Sequence, residues 1–203
     1  ILSPKIIELT QQSPFPSPSS QLAPLTGIWL PIWTTIPFVD MIPGRIPSQS
    51  YQIFDNNGYY ANIARYLPVK SFKWLSWLFS PAYDLMIVQK FMVENEQWII
   101  ENVAIKQAVY RRNIFPLSTE KAREWFNGVV RDEISLKDRE ENEFIPEAEE
   151  NKLNRKWYKK LKTTAQAKPF FEHLYMSENL RIVKTYREAN QRPSYTIAIR
   201  YLS

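Results

Sequence analysis

Along most of the chain, apolar side chains recur at every second position in short runs. The runs end at Gly, Pro, Asn or clustered acids, the texture of antiparallel strands joined by tight connections. This pattern predicts seven strands, over 27–35, 50–54, 59–66, 84–93, 98–110, 180–186 and 195–202. Asp55-Asn56-Asn57-Gly58 and Glu94-Asn95-Glu96 supply turn residues that tolerate positive φ. In the last run Tyr195, Ile197, Ile199 and Tyr201 share one face and Thr196, Ala198 and Arg200 the other. The expectation is that one of these faces is buried and the other wet. Tyr83, Leu85, Ile87, Phe91 and Val93 also alternate, interrupted by Gln89. A polar residue there is read either as a satisfied core hydrogen-bonder or as a group inside a ligand cavity.

Other stretches break the period. Residues 1–12, with Ile6, Ile7 and Leu9 grouped, form a short helix or hook, and 13–21 (SPFPSPSSQ) is expected to be an extended linker, since repeated Pro fixes φ and removes amide donors. Such a tail should be removable with the barrel still folded. Ser118 caps a predicted helix over 119–130 that buries Ala122, Trp125, Phe126, Val129 and Val130. A second predicted helix over 146–162 places Glu147, Glu149 and Glu150 ahead of Lys156, Lys159 and Lys160, with Leu153, Trp157 and Leu161 at helical spacing. That helix is read as a solvated face or as a partner-docking arm. Together these elements predict a mainly β chain: a lipocalin-like, partly open antiparallel β-barrel. Residues 1–24 are its hook and extended Pro-rich tail, and 25–203 the barrel domain, with a helical charged insertion over 117–168.

Composition changes the picture by exclusion. The 203 residues contain no Cys, which removes disulfides and thiolate chemistry, and only one His. Four scattered Gly, no G-x-S-x-G elbow and no EF-hand spacing leave no nucleotide cradle, hydrolase triad or metal loop in view. Neither catalytic nor metal residues are assigned, and His173 beside Glu172 is read as a hydrogen-bonded surface residue. A net charge of +5 is arranged in blocks, acidic over 132–150 and basic over 152–168, a poor match to a nucleic-acid stripe. No run of about 18 apolar residues is present for a membrane-spanning helix, so membrane contact is expected to be peripheral.

The strongest functional signal lies in 69–81 (VKSFKWLSWLFSP). Phe72, Trp74, Leu75, Trp77, Leu78 and Phe79 crowd beside Lys70 and Lys73 there. Trp and Lys together favour the boundary between headgroups and acyl chains. The competing reading is a short helix plugging the barrel end.

Two stretches resemble the plastid lipid-associated protein, or fibrillin, family of chloroplasts and cyanobacteria. One is IIELTQQSPFPSPSSQLAPLTGIWLPIWTT, where Leu25, Gly27 and Trp29 match the family's Leu-x-Gly-x-Trp start. The other is LYMSENLRIVKTY, where Tyr175, Leu180, Arg181 and Ile182 match its Tyr-Leu-Asp-x-x-Leu-Arg-Ile box. Met176 stands where the family has Leu, and Ser177 where it has Asp. The resemblance implies a non-enzymatic lipocalin-like barrel, peripheral at a thylakoid or plastoglobule surface. It requires no cofactor but is able to bind a quinone, carotenoid, chlorophyll or lipid. The alternative is an accessory or assembly subunit docked on a photosynthetic membrane complex, and a minor one a calycin-type tetrapyrrole enzyme. Within it, stacking of Arg181 on Trp29 is expected to close one barrel end.

Overall fold

The computed structural model describes residues 4–35, 44–67, 82–110, 115–137, 170–186 and 192–202. Eight strands form one sheet: β1 (Gly27–Thr34), β2 (Arg45–Phe54), β3 (Tyr59–Tyr66), β4 (Ala82–Glu94), β5 (Gln97–Tyr110), β6 (Phe170–Met176), β7 (Leu180–Tyr186) and β8 (Ser194–Arg200). Every pairing is antiparallel, in the order β5-β4-β3-β2-β1-β8-β7-β6. The sheet curls into a half-barrel, so that residues remote in that order meet inside it. Tyr60 on β3 and Phe171 on β6 pack edge to face at 6.5 Å, and Trp98 and Phe171, on the two edge strands, lie 5.0 Å apart.

The eighth strand is β6, which the sequence pattern does not reveal. A bulge between His173 and Tyr175 breaks its alternation against β7. The β2–β3 and β4–β5 turns form as expected. Asp55 accepts the amides of Asn57 and Tyr59 at 2.9 and 2.8 Å, and Gly58 takes φ +77°. Asn95 and Glu96, at φ +50° and +57°, close the other hairpin. These two turns and the β6–β7 turn lie at one end of the barrel, because each antiparallel strand reverses direction.

Both faces of the central strands are buried. The outer face carries Ile53, Ala61, Ile63, Met86 and Val88, covered by helix α3 (Thr119–Lys137) through Ala122, Phe126, Val129 and Val130. Ser118 caps α3 as expected, its hydroxyl accepting the Lys121 amide at 3.3 Å, and the helix continues past Val130 to Lys137. The predicted helix over 146–162 and the remainder of the charged insertion lie outside the described residues.

The structure decides one choice that the sequence left open and corrects one expectation. The alternating C-terminal strand buries its small and polar face: Thr196 and Ala198 point into the barrel, whereas Ile199 is exposed. Its position beside Trp29 explains this, since small side chains there leave room for the indole. The Pro-rich stretch is also not wholly extended. After α1 (Pro4–Gln11), residues Pro18–Leu25 form helix α2. Pro18 occupies its first turn, where no amide donor is needed and the fixed φ is already helical. Ser17, held extended by the following Pro, forms a reciprocal capping box with Ser20.

Candidate functional site

The turn end of the barrel is packed with aromatic rings. Phe54 and Tyr60 stack at 4.8 Å, Phe91 meets both edge to face, and Trp29 is fully buried among them. Trp29 donates its indole N–H to the carbonyl of Leu25, the buried last residue of α2, at 2.8 Å. Arg200 lies over the same ring at 4.4 Å, and its guanidinium donates to the carbonyls of Pro24, Thr26 and Glu178. It thereby ties the end of α2 to the β6–β7 turn. Gly27, at φ +124°, is required here, because a Cβ would sit 2.7 Å from the Arg200 guanidinium. The tail therefore acts as the barrel's lid at this end, through a capped helix in place of the expected extended linker.

Above the aromatic layer runs a belt of polar side chains. Gln52 donates to Asn62 Oδ1 at 2.8 Å, Asn62 to Gln89 Oε1 at 3.4 Å, and Gln89 to Asn102 Oδ1 at 2.7 Å. Gln89 is thus a hydrogen-bonded member of the interior. At the head of the belt Arg181 donates to Gln52 Oε1. Its guanidinium also lies 5.2 Å from the Trp29 ring and 4.5 Å from that of Phe54. Every amide oxygen in the chain points back toward the cation. Aligned dipoles and two π faces thus stabilise a buried charge for which no carboxylate partner occurs among the described ion pairs. Burial pushes Arg181 down to about 9, eased by Tyr60 and reinforced by Arg200, so it remains charged at neutral pH. Burial pushes the Tyr60 phenol up, and that group stays neutral.

His173 occupies the same interior, correcting its assignment to the surface. It packs against Trp98 and Phe171 at 5.5 and 5.2 Å. Its partner comes from the tail: Nδ1 lies 3.0 Å from Gln21 Oε1, which also accepts the Trp98 indole N–H at 3.2 Å. The Gln21 amide nitrogen donates to the Phe15 carbonyl at 2.9 Å. An indole only donates and a carbonyl only accepts, so the orientation of the Gln21 amide is fixed from both sides. His173 Nδ1 must then carry the proton it gives to Gln21. Burial first, and the positive charge of Arg181 second, hold the imidazole well below its ordinary 6.5, so Nε2 presents a bare lone pair.

This depression has a pH signature. The unfolded chain takes up a proton near 6.5 while folded His173 does not, so stability is complete above that value and declines below it until the folded-state value is reached. The decline should approach about 1.4 kcal/mol per pH unit. Urea melts at about pH 7.5 and about pH 5.5 should show it for the wild type, and His173→Gln should flatten it. Equal slopes in the two proteins would remove His173 as the cause.

Among the described residues, two buried polar side-chain atoms lack a hydrogen-bond partner: His173 Nε2 and Arg181 Nε. Both project from the concave face of the β6–β7 hairpin. His173 pairs with Val183, two positions from Arg181, which makes the two residues diagonal neighbours.

The residues singled out by sequence divide sharply. Leu25, Gly27, Trp29 and Arg181 converge at the turn end, with Ile182 buried on the outer side of β7 and Tyr175 and Leu180 half-buried at the β6–β7 turn. Lys70, Phe72, Lys73, Trp74, Leu75, Trp77, Leu78 and Phe79 all lie outside the described residues. No protein-family model matches the chain, and no curated protein is significantly similar to it. The site must therefore be interpreted from its own chemistry. Gln21, Gln52, Asn62 and Asn102 were not singled out by sequence. For the last three a signal existed, since with Gln89 they give a polar residue at the interior position of four neighbouring strands, but it depends on knowing the strand order. Among the described residues no group of three or more His, Asp or Glu side chains is placed to hold a metal ion, and no helix is long and apolar enough to cross a membrane.

Proposed function

We propose that the protein is a non-enzymatic binding barrel working at a membrane surface, with a membrane lipid or prenyl-lipid as its ligand. The observation that carries this reading is the polar belt inside an otherwise apolar barrel, with donor and acceptor capacity left over on Arg181 and His173. A small set of placed polar groups in an apolar lining is what orients an amphiphilic ligand. The resemblance to plastid lipid-associated proteins supplies the setting, a thylakoid or plastoglobule surface. Exposed Ile32 and Trp33, on the half of β1 away from the turn end, agree with an apolar contact there.

A second reading, an accessory subunit docked on a photosynthetic membrane complex, is favoured by α1, which buries no residue and exposes Ile7. Replacing both Trp74 and Trp77 with Ser tests the membrane contact. Each buried large apolar side chain contributes roughly 1.5–3 kcal/mol, so binding to galactolipid vesicles should weaken by about two powers of ten or more while the melting temperature holds. Unchanged flotation defeats the contact as placed, and a collapse in stability assigns the two residues to the barrel plug. Co-sedimentation with a photosystem after a mild detergent wash would favour docking.

A further inference from the structure

We infer that the interior of the barrel recognises a neutral hydroxyl, the head of an apolar alcohol or phenol, through His173 Nε2 and Arg181 Nε. This deepens the binding-barrel reading and rests on it.

The argument is one of hydrogen-bond complementarity. Arg181 Nε has only a proton to offer, and His173 Nε2 only a lone pair, because Gln21 has claimed the imidazole proton at Nδ1. Both atoms are buried, on adjacent strands of one hairpin face. Leaving such groups unmatched is costly, so the ligand that gains most is one that supplies both partners. A carbonyl or ether oxygen accepts from Arg181 but leaves His173 unmatched. A carboxylate also satisfies Arg181, yet it sets a negative charge against the imidazole lone pair unless His173 takes up a proton. An O–H group does both at once: its oxygen accepts from Arg181 and its proton goes to His173. The head is held by position as well. Gln52, Trp29 and Phe54 fix the guanidinium, while Gln21, Trp98 and Phe171 fix the imidazole.

Because His173 is the only histidine in the chain, its ring nitrogens can be read without ambiguity in the full-length protein. Three probes of equal tail length, dodecylphenol, its methyl ether and dodecanoic acid, are titrated below their aggregation limits. Binding is followed by tryptophan fluorescence and by 15N shifts of the imidazole. The phenol should bind about tenfold tighter than the ether, and Nε2 should move as an acceptor while remaining unprotonated. His173→Phe, which keeps a ring against Trp98 and Phe171, should abolish that preference while still binding the tail, with a thermal melt confirming the fold. Equal affinity for all three probes, or a preference that survives in His173→Phe, overturns the hydroxyl assignment but leaves the binding barrel standing. Tighter binding of the acid with proton uptake at His173 replaces the hydroxyl by an anionic head. Binding of none of the three removes the binding-barrel reading itself, and an imidazole protonated at Nε2 in the free protein removes the acceptor on which the inference depends.

Discussion

Gln21→Leu is expected to lower the stability of the folded protein by roughly 2–6 kcal/mol, although Gln21 belongs to the amino-terminal tail and to no strand. Its side-chain oxygen is the acceptor for both the Trp98 indole N–H and His173 Nδ1. Leu fills a similar volume but accepts nothing, so two buried donors lose their partner at about 1–3 kcal/mol each. Gln21→Glu separates the hydrogen bonds from packing. A carboxylate accepts from both donors and adds a negative charge beside the imidazole, so the His173 pKa should rise relative to the wild type. The 15N titration of the single histidine reads this directly. If Gln21→Leu melts like the wild type, the tail contributes nothing to the barrel and the lid described above is wrong.

Asp84→Ala should cost about 3–5 kcal/mol, because it strands a buried cation. Arg65 Nε and Nη2 meet the two carboxylate oxygens of Asp84 at 2.6 and 2.7 Å, and both side chains are almost fully buried. Arg65 also donates to the carbonyl of Phe115, so the pair fastens the outer face of β3 and β4 to the segment that leads into α3. Fork-on-fork geometry of this kind supports orientation more than net stability, since each charge must first lose its water. The double variant Arg65→Met, Asp84→Leu should therefore recover much of the loss seen in Asp84→Ala. Chemical denaturation of the single and double variants gives the coupling. A double variant no more stable than Asp84→Ala would mean that the pair is needed for its hydrogen bonds rather than for mutual neutralisation.

Local chemistry in the sequence determined seven of the eight described strands and several of their boundaries: the alternation over 84–93, the Asp55–Gly58 turn, and Ser118 ahead of a helix with Ala122, Phe126, Val129 and Val130 on one side. It also marked Trp29 and Arg181, and their rings and guanidinium do meet. Other features needed contacts between distant residues. Period two says that Thr196 and Ile197 point to opposite faces but not which face is inside; β8 lies between β1 and β7, and that position decided it. Repeated Pro excludes most helix interiors yet is welcome in a first turn, so α2 depended on Ser17 and Ser20 completing a cap and on Arg200 holding the far end. His173 beside Glu172 has the local pattern of a surface residue. It is buried because α2, 152 positions earlier in the chain, brings Gln21 to its Nδ1. Secondary structure follows from near neighbours, whereas the protonation of an interior histidine and the closure of a polar belt follow from which strands the fold makes adjacent.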